Sequence, residues 1–360
     1  MDDVDYDAFL LLGFGGPEGP DEVMPFLRQV TAGRNVPDER LLGVAEHYQH
    51  FGGVSPINDQ NRELLSALDD EFTAAGIDLP LYWGNRNWSP WLTDTVAEMG
   101  ANGVRRALVL ATSATGGYSG CRQYRENLRD ARAEAGEIAP ELIKLRHFFN
   151  HPGFIAATVD RVQEALGSLP DDVAATARLV FTAHSIPSAA DASAGPAGDL
   201  YSTQQYETAR LVATAVRGDS AVRSDGADQR SPEFDLVWQS RSGPPQVPWL
   251  DPDINDHLRT LAAAGETAVV IIPSGFVSDH LEVLWDLDTE ARETAAELGL
   301  TMVRAGTVGT HPAFLGAIRE LVQERLNGEP KQALGPMGPS WDECPFEAGC
   351  CRPFADRPQL

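Results

Sequence analysis

Short runs of consecutive apolar residues alternate along this chain with longer stretches in which apolar positions recur every three or four residues. The first kind reads as strands buried on both faces, the second as helices that cover them, so the pattern predicts an α/β protein with mostly parallel sheets. Strands are expected over 8–12, 81–84, 106–110, 142–145, 179–182, 235–239, 267–272 and 301–303, which divide into two sets of four. Helices are expected over 21–30, 58–75, 93–99, 120–134, 153–166, 202–216, 254–264, 282–298 and 312–326. No internal sequence repeat stands out.

The stretch 147–153 reads as the crossing between two domains. An N-terminal domain over 1–147, completed by the helix near 312–326, and a C-terminal domain over 148–311 follow from it. Residues 217–232, rich in Asp, Ser, Arg and Gly, read as an exposed loop. From Gly328 the periodicity ends, and Pro336, Pro339, Pro345 and Pro353 forbid a long helix. This Cys- and Pro-containing tail over 328–360 needs another source of order.

Charge narrows the partners. The 360 residues carry 53 acidic against 28 basic side chains, a formal net charge of −25. Such a surface repels phosphate backbones and anionic headgroups, which argues against nucleic acid and favours cationic ligands. The longest apolar runs, such as 268–273, fall far short of the ~20 residues a bilayer span requires. Residues 1–7 lack the cationic and apolar regions of a signal peptide. A cytoplasmic monomer without a transmembrane segment is expected.

In open parallel sheets ligands bind beyond the carboxyl ends of the strands, and several polar or glycine-rich segments follow strands here. Gly13-Phe14-Gly15-Gly16-Pro17 fails as a dinucleotide loop, because Glu18 takes the last glycine position and Pro17 removes an amide donor. Its glycines suit close approach of backbone to a flat ligand. His184, just past a strand, is either a structural histidine or a group that binds metal or takes a proton near neutral pH. Asp279 and Glu282 have capping-box spacing. Yet Glu282, Asp286 and Glu290 recur at i, i+4 and i+8, a row that serves either as a solvated face or as a path for a divalent cation beginning beside His280. Trp83, Trp88, Trp91, Trp238, Trp249 and Trp285 pack the core or wall a planar apolar ligand. Cys121, Cys344, Cys350 and Cys351 either ligate a metal centre, such as a 2Fe–2S cluster or Zn²⁺, or leave a tail with free thiols.

Taken together these motifs resemble those of ferrochelatases, enzymes that insert Fe²⁺ into a porphyrin in haem synthesis. The likeness rests on Leu11-Leu12-Gly13-Phe14-Gly15-Gly16-Pro17-Glu18, His50-Phe51-Gly52-Gly53-Val54-Ser55-Pro56-Ile57-Asn58, Phe181-Thr182-Ala183-His184-Ser185-Ile186-Pro187 and Ser278-Asp279-His280-Leu281-Glu282. Val237-Trp238-Gln239-Ser240-Arg241 adds a fifth stretch, and the order is kept from about residue 8 to residue 326.

The resemblance implies two similar Rossmann-like domains with parallel four-stranded sheets and a porphyrin cleft between them. It implies that His184 and Glu282 handle iron and protons, flanking a bent macrocycle from opposite sides, with Asp286 and Glu290 as an outer metal route. Ser55 and Tyr124 match porphyrin contacts, and Arg34 is placed to meet a propionate. Phe14 stands where some relatives carry a tyrosine that can ligate iron, so an axial tyrosinate is excluded. Cys121, Cys344, Cys350 and Cys351 resemble the iron–sulfur ligands of a subset of the family, although the adjacent Cys350-Cys351 pair must turn both thiolates to one cluster. Arginine-rich, lysine-poor composition and Ser119-Gly120-Cys121-Arg122-Gln123-Tyr124 resemble the actinobacterial branch. There the porphyrin is usually coproporphyrin III. The expected reaction joins substrate Fe²⁺ to coproporphyrin III. Protoporphyrin IX as substrate, a non-catalytic porphyrin or haem carrier, and a sirohydrochlorin or cobalt chelatase are the alternatives.

Overall fold

The computed structural model describes residues 6–33, 36–218, 234–243, 246–342 and Cys351. Arg34, Cys344, Cys350 and nearly all of the expected loop over 217–232 lie outside them. All eight expected strands form, as β1 Ala8–Gly13, β2 Leu81–Asn85, β3 Arg106–Ala111, β4 Glu141–Lys144, β5 Arg178–His184, β6 Phe234–Gln239, β7 Ala268–Ile272 and β8 Thr301–Arg304. They make two wholly parallel four-stranded sheets, ordered β2-β1-β3-β4 and β6-β5-β7-β8. The second sheet thus repeats the winding of the first.

Strand alternation distributes the core. Phe9, Leu11, Leu108 and Leu110 of the first sheet join Leu179, Phe181, Val270 and Ile272 of the second in one continuous apolar cluster, together with the helices between the sheets. The opposite faces, with Leu10, Leu12 and Val109 on one sheet and Val180, Val269 and Ile271 on the other, belong to separate outer clusters. Burial on both faces explains why these strands read as unbroken apolar runs. Pro312–Leu326 packs on Ile57–Ala74 of the first half and on Pro152–Gly167.

Two helices at that junction start alike. His151 precedes Pro152 and His311 precedes Pro312, and each histidine Nδ1 accepts the backbone N–H two residues on, at 3.3 and 3.2 Å. Proline at the first helical position sacrifices no needed donor there. A Cβ on Gly153 would stand 2.4 Å from the Ala313 carbonyl oxygen, so glycine permits the close contact of these helices.

Some helices depart from expectation. Asp38–His50 forms although no helix is expected there, as do the short helices Asp171–Thr176 and Ser188–Ala192. The expected helix over 282–298 is not uniform: Leu281–Val283 is α-helical, Leu284–Ala291 winds with i→i+5 bonds as a π-helix, and Arg292–Leu298 returns to α. Among the described residues no helix is long and apolar enough to cross a membrane.

The first part of the tail owes its order to hydrogen bonds with the crossing segment. Asn150 Nδ2 donates to the carbonyls of Leu334 and Gly338 at 2.9 Å each, and Leu334 N–H returns to Asn150 O. Arg146 pairs bidentately with Glu324 at 2.7 Å and donates to Gln332 O. Asp342 is held by Lys331 and Arg325.

Candidate functional site

His184 is the last residue of β5, paired in register with Gln239 at the end of β6. Beside them the chain leaving β7 crosses the strand ends and starts the helix that carries Glu282. Gly275 makes this possible: a Cβ there would lie 2.6 Å from the Ala183 Cβ, so only glycine lets the loop lie flat on the strand next to His184. His184 Nε2 consequently stands 3.6 Å from Glu282 Oε2. Both side chains are partly open to solvent.

His184 Nδ1 faces the Ser185 carbonyl at hydrogen-bond distance. A carbonyl can only accept, which assigns a proton to Nδ1 and turns Nε2 toward Glu282. In the neutral ring Nε2 can take a proton or bind a metal. A flat macrocycle inserted between the two groups would need about 7 Å, twice a van der Waals contact. The 3.6 Å separation excludes the expected opposed placement: a ligand that meets both groups meets them from one side.

Asp286 follows Glu282 along the same helix. Its carboxylate accepts hydrogen bonds from Ser240 Oγ and from Gln239 Nε2. Gln239 is itself oriented by Thr182, whose hydroxyl donates to Oε1 at 2.9 Å. Burial pushes the Asp286 carboxyl up to about 7 against these bonds, with the charges of Glu282 and Glu290 acting in the same direction. Glu290 lies at the exposed end of the row, where Trp285 Nε1 donates to it at 2.9 Å. Four residues of α-helix overshoot a full turn by about 40°, whereas the wider π turns fall short, so the mixed winding offsets the drift of an i, i+4, i+8 row. Among the described residues no three His, Cys, Asp or Glu side chains form a cage for an ion. The row is a line of carboxylates, not a chelate.

The capping-box reading of Asp279 and Glu282 does not hold. His280 occupies the N-cap, with no side-chain cap bond. Asp279 is instead paired with Arg304 at 3.1 Å. Burial lowers the His280 pKa, and the nearby His184 adds to that while Glu282 opposes it.

The first half contributes an aromatic wall. Phe14, in the loop after β1, is 36% exposed and meets Phe26 edge-on at 6.5 Å. Phe26 continues to Tyr48 and Trp88, and Leu281, the neighbour of Glu282, packs in the same cluster. Burial, with the Glu282 charge, holds the Tyr48 hydroxyl well above its ordinary pKa. The Arg86 guanidinium lies 5.6 Å from the Phe14 ring and 4.8 Å from the Tyr124 ring. Tyr124 and Ser55 are each 4% exposed, so both lie beneath this surface and not on it. His47 of the helix Asp38–His50 stacks on Trp285 at 3.9 Å, closing the wall against the carboxylate row.

Sequence reasoning missed Tyr48 and Arg304, and gave Gln239 no role beyond its place in a family-like stretch. For Tyr48 a signal existed: Leu41, Ala45 and Tyr48 recur at i, i+4 and i+7 and all are buried.

Cys121 and Cys351 are the described cysteines, and no disulfide joins them. The Cys351 backbone N–H meets Ser193 O at 3.4 Å. Cys121 lies in the turn after Gly116, and Leu200 touches the positions of both Gly116 and Gly195. Near Cys121 lies the buried Lys144, whose amine burial lowers to about 8 while the Cys121 charge opposes the shift.

Comparison with known proteins places the chain among its relatives. The sequence model of the ferrochelatase family matches residues 6–326. The coproporphyrin III ferrochelatase of Nocardia farcinica is 56% identical over 353 residues, covering 96% of this chain and 97% of its own. That of Streptomyces griseus is 53% identical over 371 residues, covering 99% and 96%. Among solved structures, SirB from Bacillus subtilis with Fe³⁺ shares the fold, with a TM-score of 0.51 at 12% identity over 90% of this chain and 97% of its own. A match over nearly the whole chain, together with His184 and Glu282 converging at the strand ends, means that this chain belongs to the ferrochelatase family.

Proposed function

We propose that this chain inserts Fe²⁺ into coproporphyrin III, releasing the two pyrrole protons. The observation that carries the reading is the His184 and Glu282 pair, with imidazole Nε2 and a carboxylate 3.6 Å apart at the end of β5. The neutral imidazole takes a pyrrole proton at Nε2, and Glu282 ligates the incoming iron from the same side. Phe14 offers the macrocycle an apolar surface and no axial oxygen. Asp286 and Glu290 conduct Fe²⁺ toward Glu282. Arg34 meets the porphyrin from the first half, and Ser55 and Tyr124 act from beneath the surface, Ser55 by backing the Gly16 loop and Tyr124 through Arg86, whose guanidinium it supports. Coproporphyrin in preference to protoporphyrin follows the names of the actinobacterial relatives.

The test is anaerobic Fe²⁺ insertion with coproporphyrin III and protoporphyrin IX offered side by side. Wild-type protein metallates the first faster, and His184→Ala slows insertion by roughly 10²-fold or more while keeping porphyrin affinity. Full insertion by that variant removes the assignment.

We infer further that Cys121, Cys344, Cys350 and Cys351 hold a 2Fe–2S cluster. What supports it is the number and region of the cysteines, Cys121 in the turn after β3 and the other three in the tail, which resembles the iron–sulfur subset of the family. Bound there, the cluster would brace the tail against the first half. Protein prepared anaerobically is then brown, and Cys344→Ser bleaches it. A colourless, iron-free wild-type preparation refutes the cluster.

A further inference from the structure

Arg304, the last residue of β8, touches neither His184 nor the carboxylate row in the contacts described above. Its guanidinium nevertheless spans both ends of the segment that carries the row. Nε and Nη2 each donate to one oxygen of Asp288 at 2.8 Å, and Nη1 and Nη2 each donate to one oxygen of Asp279 at 3.1 Å. Asp279 precedes Glu282 by three residues, and Asp288 lies inside the π-wound stretch, two residues beyond Asp286. Asp279 is fixed from the other half as well, since its backbone N–H donates to Gln60 Oε1 at 2.8 Å.

We propose that Arg304 is a positioning residue for iron insertion: by clamping Asp279 and Asp288 it holds the π-wound register that presents Glu282 to His184. The proposal rests on the reading of Glu282 as the iron ligand. Three physical points support it. A π-helix is rare in isolation and persists where surrounding structure imposes it, and a four-bond clamp across its first turns is such an imposition. Arg304 takes the Asp279 carboxylate and Gln60 takes its backbone N–H, so neither half of a capping box forms and the Glu282 carboxylate is left for the site. A planar fork is also required, because a lysine ammonium is a point charge that cannot hold two carboxylates in fixed mutual geometry.

The test compares Fe²⁺ insertion kinetics, coproporphyrin affinity and thermal melting for full-length Arg304→Lys, Asp288→Asn and Glu282→Gln. Arg304→Lys keeps the charge and is expected to raise KM for Fe²⁺ on the order of tenfold, with kcat changed far less and porphyrin affinity unchanged, as loss of a group that orients a metal ligand does. Asp288→Asn removes half of the clamp without touching Glu282, and is expected to raise the same KM. It carries the test if Arg304→Lys fails to fold. Lowered melting temperature with wild-type KM for Fe²⁺ in the folded clamp variants overturns the proposal and makes Arg304 a purely structural residue. Wild-type kinetics in Glu282→Gln overturns the reading of Glu282 and the proposal with it, an outcome distinct from the first because it leaves the clamp variants unscored.

Discussion

Tyr201 donates its hydroxyl to the backbone carbonyl of His184 at 2.9 Å, tying the start of the helix Leu200–Arg217 to the end of β5. The hydroxyl is buried, and its helix is capped by Asp191, which accepts the backbone N–H groups of Tyr201 and Ser202 at 3.1 and 3.2 Å. Removing the hydroxyl leaves a carbonyl without its donor beside the imidazole. Tyr201→Phe should cost about 1 kcal/mol of stability. Because the loss falls on the residue that bears the imidazole, insertion should also slow by several-fold. Denaturant unfolding alongside the insertion assay checks this, and unchanged values in both would mean that the bond does not orient His184.

Asp286 should make stability depend on pH. Its carboxyl titrates at about 7 in the folded chain against an ordinary 3.8, chiefly through burial, so the native state binds this proton more tightly than the unfolded one. The stabilisation is complete below the unfolded value and is lost as pH rises through about 7. Asp286→Asn, neutral throughout, should therefore gain on wild type between pH 4 and 7 and hold a constant advantage above. Melting curves at successive pH values decide it, and a pH-independent difference rejects the account.

Arg146 and Glu324 form a bidentate pair whose side chains are 1% and 3% exposed. Arg146→Met strands the Glu324 carboxylate in the interior, and such loss typically costs about 3–5 kcal/mol. Urea unfolding should show it. The double change Arg146→Met with Glu324→Leu should recover most of the loss, since two apolar groups can replace a buried pair.

Gly153→Ala places a methyl against the Ala313 carbonyl between two packed helices. Overpacking of this kind costs about 1–3 kcal/mol. A melting temperature at or above wild type would show that the helices can part without penalty.

The strands were legible because burial on both faces leaves unbroken apolar runs, as in Ala8–Gly13 and Ala268–Ile272. The pairing of His184 with Glu282 was legible through motif resemblance, and their placement on one side was not, because spacing along a chain says nothing of the angle at which a loop crosses strand ends. The π winding of Leu284–Ala291 has no local signature in residue type. It depends on Arg304, which is distant in sequence. One repeat was present and passed over: His151-Pro152-Gly153-Phe154 and His311-Pro312-Ala313-Phe314 open equivalent helices after the last strand of each sheet. Four residues are too few to stand out until the topology shows that both follow the same turn of the fold.

The widened winding of Leu284–Ala291 makes chain length itself a determinant of the site. A π turn holds one residue more than the α turn it replaces, and each residue of α-helix is worth about 100° of rotation. Deleting one residue there would restore ordinary winding without breaking the helix. Val283 and Leu287 seat the near end in the same outer core that holds Ala295 and Leu300 at the far end, so the lost residue would unseat one end or the other. Where the near end gives, Glu282 turns away from His184 with every acidic residue of the row still present. In this chain the loss of one residue at that place therefore threatens the site without touching any of its side chains.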